Sequence, residues 1–421
     1  MSNLKEKILI TFPSFLICLI PLFLITGPFL SDSSVVIVSI FFLINIFLNK
    51  EYSYFNNKFF IIFFIFFIYL FINSLVEFYD YNNIRSSIGY IRFGIFSLGF
   101  IYFLEREERL LKWLFIIFLF CFLLLIVDGY FQYFIKENII GNPVDIKSGR
   151  IRFFFNDEYV LGSYLSRLFP VFLALTFLLY KNKKNFIISI SFLFVLIETL
   201  IFLSGERVAF FFNTLSAIFI IIMINKFKKI RLITLVFLFF TIVLISIFDD
   251  TAKKRIWDQT INQIGINTTK LNIFSEIHES HYSSAYKMFL ENKIMGIGIR
   301  NFRNFCNEER YKTHEVSCTT HPHNTYVQLL SETGLIGFSF AIILFFYFTF
   351  KMLNHLKGAL FKKEYLFSDF QICLLAAILI TIWPFAPTGN FFNNWISIIY
   401  YFPVGLFLWS VKNKNLIIFK N

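Results

Sequence analysis

The sequence predicts an all-α integral membrane protein with about twelve transmembrane helices and a large, partly helical loop between helices 9 and 10. Of its 421 residues, 57% are hydrophobic and only 16% are charged, whereas soluble domains carry about 25% charged residues. The apolar residues form runs close to the roughly 20 residues that cross a bilayer as a helix. These two observations exclude a soluble globular fold.

Twelve apolar segments account for the predicted spans. They lie near residues 8–27, 33–49, 58–76, 84–104, 110–134, 158–180, 185–204, 207–225, 229–248, 334–355, 366–386 and 391–411. The chain therefore divides into spans 1 to 9 within residues 1–248, a large polar loop at 249–333, and spans 10 to 12 within residues 334–421. A smaller polar loop at 135–157 separates spans 5 and 6.

The distribution of positive charge predicts the orientation. Lys and Arg cluster in alternate short connections, for example 106–112, 226–231 and 351–357, and almost disappear from the connections between them. Cytoplasmic loops are enriched in Lys and Arg, so we expect both termini in the cytoplasm and both long loops on the opposite side. The residues that give the net charge of +12 thus flank the spans and form no basic stripe on a soluble face, which argues against nucleic-acid binding.

The segment HPHNTYVQLLSETGLIG, residues 321–337, is polar within apolar surroundings. Asn324 is a suitable N-cap for the helix that follows it, which places His323 just before a helix N-terminus. The positive potential there disfavours imidazolium, so His323 is expected to be neutral and able to accept a proton. A structural interpretation is also open, with His323 in a helix cap and Gly334 and Gly337 allowing close helix packing.

The turn SGER, residues 204–207, separates two apolar segments. Arg207 begins the second of them, and a guanidinium at a helix N-terminus suits phosphate oxygens. Two structural interpretations remain: Glu206 pairs with Arg207, or Arg207 extends toward lipid headgroups.

Residues 278–305 of the large loop contain further cationic and imidazole groups, including His278, His281, Lys287 and Arg300. We expect these groups to face an anionic lipid headgroup. His278 and His281 are spaced to share a helix face, but no third ligand has matching spacing, so no metal is predicted. In the smaller loop, Arg150, Arg152, Asp157 and Glu158 are candidates for a polar wall of the same cavity.

The cysteines fall into two groups. Cys18, Cys121 and Cys373 lie within spans, where thiols serve as small apolar packing groups. Cys306 and Cys318 lie in the large loop, and an oxidising compartment would permit a disulfide between them. We expect that bond to form.

Three motifs resemble the signature of the O-antigen ligase and O-antigen polymerase superfamily. His323-Asn324, nine residues, Gly334, two residues and Gly337 resemble the segment that begins the span after that family's large periplasmic loop. SGER is similar to its short periplasmic turn with an essential arginine. ENKIMGIGIRNF, residues 291–302, is similar to a glycine-containing stretch of its large loop.

The resemblance implies a bacterial inner-membrane glycosyltransferase of lipopolysaccharide biosynthesis that inverts configuration and needs neither metal nor another cofactor. Its donor would be a glycan on undecaprenyl diphosphate, and its acceptor a sugar hydroxyl on lipid A–core. By the motifs, His323 would match the catalytic histidine and Arg207 the diphosphate-binding arginine. The expected substrate-binding residues are Glu206, His278, His281, Lys287, Arg300, His321 and Asn324.

One departure from the family pattern concerns a second arginine early in the large loop. The matching region here contains His278 and no arginine, so His278, His281, Lys287 or Arg300 could substitute for it. The main alternative function is an O-antigen polymerase, which uses the same donor. From another class, a transporter or lipid flippase would place polar groups at the membrane midplane in repeated halves, a pattern that this sequence lacks.

Overall fold

The computed structural model describes residues 2–77, 79–145, 150–151, 153–155, 158–180, 183–224, 226–264, 274–362 and 364–413. Parts of both predicted loops, among them Arg152, Asp157 and residues 265–273, lie outside the described residues, as does the C-terminal segment 414–421. Within the described residues the regular structure is helical, apart from one isolated bridge between Glu137 and Pro143. The predicted all-α class is confirmed.

The helices follow the predicted apolar segments. They are α1 (Ser2–Thr26), α2 (Pro28–Asn49), α3 (Lys58–Val76), α4 (Tyr81–Arg106), α5 (Leu110–Ile135), α6 (Leu161–Tyr180), α7 (Lys184–Ser204), α8 (Arg207–Met223), α9 (Lys228–Phe248), α10 (Asp250–Lys253), α11 (Gln259–Ile264), α12 (Glu276–Glu291), α13 (Phe302–Phe305), α14 (Thr325–Lys357), α15 (Asp369–Thr381) and α16 (Asn394–Lys412).

Ten of the helices in the described part of the chain are long and apolar enough to cross a membrane. The other two apolar helices, α8 and α15, have 17 and 13 residues, so the predicted number of twelve crossings is not confirmed. Helix α15 is buried from Phe370 to Thr381. It packs against its neighbours all round and ends shortly before Pro384.

Helix α12 confirms that the large loop is partly helical. His281, Ser284, Ala285 and Met288 are its buried residues, and their spacing of three to four places them on one face. Ala285 and Met288 form a small apolar core with other loop residues, including Phe302. The loop is therefore a folded cap with its own core.

Contacts of this cap place several connections at the same end of the helical bundle. The guanidinium of Arg207, in the turn between α7 and α8, donates to Gln263 Oε1 over 2.6 Å. In the loop between α15 and α16, the Thr388 amide donates to the His323 carbonyl over 2.8 Å. The basic connections lie at the other ends of these helices, as the charge distribution predicts.

The beginning of α14 differs from the predicted span boundary. The apolar run starts at residue 334, but the helix already begins at Thr325, because Asn324 accepts hydrogen bonds from the backbone amides of Tyr326 and Val327. The first turns of the helix are polar and yet buried, so a hydropathy argument assigns them to the loop. Gly334, with φ 60° and ψ −163°, then interrupts the helix.

The large loop fills this interruption. The Ile297 amide donates to the Ser331 carbonyl over 2.9 Å, and the Leu335 amide donates to the Lys293 carbonyl over 2.9 Å. Backbone groups that the break releases from the helix are thereby satisfied. A Cβ at Gly296 would lie 2.5 Å from the Glu332 carbonyl carbon. The glycines of the loop and of α14 thus let two backbones meet.

We expect Gly334→Ala to destabilise the protein strongly. The backbone conformation at Gly334 is essentially restricted to glycine and costs other residues about 1–3 kcal/mol. In addition, a Cβ would lie 2.2 Å from the Ile294 carbonyl oxygen. Thermal unfolding in detergent, followed by tryptophan fluorescence, should show a lower midpoint. Gly141→Ala is the matched control, because Gly141 has φ 86° but no atom within 4 Å of the added carbon. Equal shifts would contradict the role of the collision.

Candidate active site

Four histidines from two segments converge at the loop end of the bundle. His278 and His281 come from α12, and His321 and His323 from the strap of residues 320–324 that precedes α14. The ring centroid of His323 lies 4.1 Å from that of His321, 5.4 Å from that of His281 and 5.8 Å from that of His278. His323 is therefore the centre of the group.

The loop between α15 and α16 supports the strap. The Asn324 amide group donates to the carbonyls of Pro384 and Ala386 over 2.8 and 3.3 Å. The backbone amide of Thr388 donates to the His323 carbonyl, as described above. His323 itself has φ 58°, a left-handed conformation that is uncommon outside glycine and is often found at functional positions.

Hydrogen bonds orient two of the imidazoles. Nε2 of His321 is 3.4 Å from the Thr388 carbonyl oxygen, and its Nδ1 is 2.9 Å from Thr320 Oγ1. Because a carbonyl only accepts, His321 carries its proton on Nε2. Nδ1 of His278 is 2.7 Å from Ser275 Oγ.

The other two imidazoles have unused nitrogens. His281 is only 5% exposed, and its Nδ1 has no hydrogen-bond partner among the described residues. The ring of His323 is partly exposed and likewise makes no hydrogen bond within the described part of the chain. A ligand with a hydroxyl group could therefore donate to the His323 ring.

Burial keeps the cluster uncharged. Burial lowers the pKa of His323 to about 3, with further contributions from His321, His281 and His278. Burial also lowers the pKa of His321 to about 4. The direction for His323 agrees with the sequence prediction, and burial is the main cause. A neutral imidazole is a proton acceptor at neutral pH.

The turn between α7 and α8 holds its charged pair apart. Glu206 is buried and accepts from the backbone amides of Gly162 and Ser163 over 2.8 and 3.3 Å, at the start of α6. Arg207 instead donates to Gln263 and, over 3.4 Å, to Thr260 Oγ1. Glu206 and Arg207 therefore do not pair with each other, and the guanidinium faces the large loop.

Arg207 lies at the border of the histidine cluster. Burial lowers the pKa of His278, and the charges of His281 and Arg207 act in the same direction. His278 thus has both Arg207 and His323 as neighbours. The two residues that the motifs single out lie at the same end of the bundle and share a neighbour.

Two further arginines surround the turn. Burial lowers the pKa of Arg150, and the positive charges of Arg255 and Arg207 lower it further. The negative charge of Glu206 acts in the opposite direction. Arg255 packs against the turn so closely that a Cβ on Gly205 would lie 2.5 Å from its Nε. Arg150, Arg207 and Arg255 form a group of cations, which we call the arginine group.

Sequence reasoning missed Arg255, although it does lie early in the large loop. The run of Lys253, Lys254 and Arg255 suggests only a solvated helix end. Arg167 was also missed: it is 6% exposed within α6, donates to Ser163 Oγ over 2.6 Å and lies over the ring of Phe212. A buried arginine in an apolar helix is itself a functional signal.

Two residues expected at the site have their contacts elsewhere. Lys287 is exposed on α12 and donates to the Lys312 carbonyl over 3.2 Å. Arg300 donates to Ser86 Oγ in α4 over 2.9 Å. The structure therefore does not bring either of them to the histidine cluster. Lys287 lies about 120° around α12 from His281, outside the buried face, and the contact of Arg300 with α4 depends on how the loop packs.

No group of three or more His, Cys, Asp or Glu among the described residues is arranged to hold a metal ion. Among the histidines, Nδ1 of His278 and both nitrogens of His321 face hydrogen-bond partners within the protein.

Cys306 and Cys318 form a disulfide with a Cα–Cα distance of 4.9 Å. The bond joins the apolar core of the cap to the segment that leads into the strap. It closes a short loop, since the cysteines are 12 positions apart. The disulfide therefore restrains the approach to His321 and His323.

Replacing both cysteines by serine should loosen the cap. A disulfide across a loop of this length stabilises by roughly 3 kcal/mol in the chain-entropy view. We expect faster cleavage of the large loop by a protease, measured on gels after digestion in detergent. Reductant should accelerate cleavage of the wild type and leave the double variant unchanged. Alkylation of both thiols in the untreated wild type would contradict the bond.

Residues 191–342 match the model of a protein family described as O-antigen ligase. The matched range begins in α7 and ends in α14, so it contains the SGER turn, the large loop and the strap. A comparison with curated proteins finds no match to the chain. The family match confirms the resemblance that the three motifs indicate.

Proposed function

From the O-antigen ligase match over residues 191–342, we propose that the protein transfers a glycan from undecaprenyl diphosphate to a sugar hydroxyl of lipid A–core. Transfer takes place at the periplasmic face of the bacterial inner membrane, with both termini in the cytoplasm. The observation that carries the proposal is the neutral imidazole of His323, which makes no hydrogen bond to the described residues and lies on the same side of the bundle as Arg207 and its neighbouring cations.

His323 acts as the general base. The acceptor hydroxyl attacks the anomeric carbon of the donor, and its proton passes to a ring nitrogen of His323. The bond between the anomeric carbon and the diphosphate oxygen breaks, and the lipid diphosphate leaves with the bonding electrons. Attack opposite to the leaving group inverts the anomeric configuration.

The arginine group stabilises the leaving diphosphate. Arg207 provides the first contact, and Arg255 is a better candidate for the second phosphate contact than Lys287 or Arg300, because it lies beside the SGER turn. Guanidinium groups bind phosphate oxygens through two parallel hydrogen bonds. Charge that develops on the leaving oxygen is thus met by fixed positive groups.

Donor binding also raises the pKa of the general base. A pKa of about 3 makes the His323 imidazole a weak base, whereas general bases work best with a pKa near the operating pH. The negative charge of a bound diphosphate favours imidazolium and raises the pKa of nearby histidines. The donor therefore makes His323 a stronger base when the base is needed.

The pH dependence of transfer provides a test of this coupling. The neutral imidazole is the active form, so activity is lost as the pH falls through its pKa. The profile of kcat/KM reports the free enzyme and should stay level from about pH 8 down to about pH 5, well below the usual histidine pKa of about 6.5. The profile of kcat reports the bound enzyme and should fall at a higher pH. Acid limbs at the same pH in both profiles would contradict the coupling.

Reconstitution tests the function directly. Purified protein in liposomes is incubated with lipid-linked glycan and with intact or delipidated core, and the products are separated on gels. Core bearing the glycan supports the proposal. Extension of the lipid-linked glycan alone indicates a polymerase, and movement of the glycan across the bilayer without any new linkage indicates a transporter. Either of these outcomes would overturn the proposal.

A further inference from the structure

A separate polar cavity of about 190 Å³ opens between the turn after α3 and the large loop. Its lining includes Glu77, Tyr79, Asn292, Phe305, Arg310 and Tyr311. None of its lining residues belongs to the histidine cluster or to the arginine group. The cavity nevertheless lies at the same end of the bundle and is built partly by the same cap.

The charges around the cavity do not suit an anion. Arg310 is already paired with Glu308 and Glu291, over 2.7 and 3.2 Å. Tyr311 also donates to Glu291, over 2.6 Å. The Glu77 carboxylate has no hydrogen bond or ion pair among the described residues, and burial raises its pKa. The unused group is therefore an acceptor, which disfavours phosphate and favours a ligand with hydroxyl groups.

An aromatic pair forms another wall. The rings of Tyr79 and Phe305 meet edge to face with centroids 5.1 Å apart. Tyr79 is 53% exposed, so much of its surface is available. Aromatic rings offer an apolar surface to C–H groups, and tyrosine adds a hydroxyl at its end. Apolar C–H faces and hydroxyl groups together are the surface of a sugar ring.

The walls are held in place before any ligand arrives. The Asn73 side chain of α3 donates to the Met295 carbonyl over 2.6 Å. Gly298 approaches the turn so closely that a Cβ would lie 2.7 Å from the Glu77 carbonyl oxygen. Phe305 directly precedes Cys306 of the disulfide. A preformed site loses little conformational entropy on binding.

We infer that this cavity binds one neutral sugar residue of the glycan substrate. Its volume of about 190 Å³ is below the roughly 300–1,000 Å³ of pockets for drug-sized ligands, which favours a single ring. Glu77 and Asn292 accept and donate hydrogen bonds to hydroxyl groups, while Tyr79 packs against the ring. The inference rests on the proposed function, and the sugar belongs either to the donor glycan or to the acceptor core.

Saturation-transfer NMR on the full-length protein in detergent tests the inference. Two probes are used: the host's lipid-linked glycan after mild-acid release of the lipid, and its delipidated core oligosaccharide. Protons of one sugar residue in one probe should receive saturation, and the probe that responds identifies the source. Glu77→Gln and Tyr79→Ala should each reduce the signal at least about fivefold, a loss of about 1 kcal/mol.

Controls separate this site from the proposed chemistry. Tyr286→Ala removes another exposed tyrosine of the cap and should leave the signal unchanged. His323→Ala should lower the rate of transfer sharply and leave the signal unchanged. Sugar binding at this cavity is therefore tested independently of the proposed reaction. In transfer assays Tyr79→Ala should raise the KM for the responding substrate and leave kcat near wild type. No saturation with either probe, or equal signals in wild type, Glu77→Gln and Tyr79→Ala, would overturn the inference.

Discussion

Replacing His323 with alanine should lower the rate of glycan transfer by about 10²–10⁴-fold, the usual contribution of a positioned general base. The imidazole lies at the centre of four histidines and keeps its nitrogens free of hydrogen bonds within the described residues. Initial rates with reconstituted protein measure the effect. His314→Ala, which removes an exposed histidine of the same cap, should retain wild-type activity.

A second variant separates the loss of the imidazole from the backbone strain that alanine would introduce at this position. His323 has φ 58°, a conformation that costs alanine about 1–2 kcal/mol but that asparagine adopts more easily. His323→Asn should therefore unfold at the wild-type temperature and still be inactive, because an amide is not a proton acceptor at neutral pH. Wild-type transfer by either variant would show that another group takes the proton.

Arg207→Ala should reduce transfer by about 10²–10³-fold, the effect of losing one fixed donor to a developing oxyanion. Arg207→Lys should recover only part of this loss, since lysine keeps the charge but not the planar fork of donors. Initial rates over a range of donor concentrations are the measurement. Arg85→Ala removes an exposed arginine at the same end of the bundle and should have no effect.

The contacts of Arg207 supply a structural control. Its guanidinium donates to Gln263 of α11 over 2.6 Å, so its removal also breaks a contact with this short helix. Gln263→Ala breaks the same contact and keeps the positive charge. If Gln263→Ala loses as much activity as Arg207→Ala, the arginine only anchors the loop.

The parts of the fold that depend on local pattern could be predicted from the sequence. Apolar runs located the helices, and Asn324 was correctly predicted as the N-cap of α14. The predicted span began only at residue 334, within α14, because buried polar residues such as Gln328 and Glu332 resemble a loop in hydropathy. They bond to each other over 3.0 Å, a contact that no window average contains.

Site residues that belong to motifs could be predicted from the sequence. Site residues that only tertiary packing brings together could not. His321 and His323 are neighbours in sequence, so their proximity was expected, but their approach to α12 depends on how the cap folds. Arg255 reaches Gly205 across about fifty residues, and Arg300 turns toward α4. Charge and spacing identify cations in a loop, but they do not reveal which cation faces which partner.

The interrupted backbone at Gly334 limits which segments can be exchanged between related proteins. Residues 293–298 of the cap supply hydrogen bonds to α14 on both sides of the break, and Gly296 fits only against that particular bend. The sequences of these two segments must therefore match each other. We expect a chimera with the cap of a related protein to fold only if residues 331–337 come from that same protein.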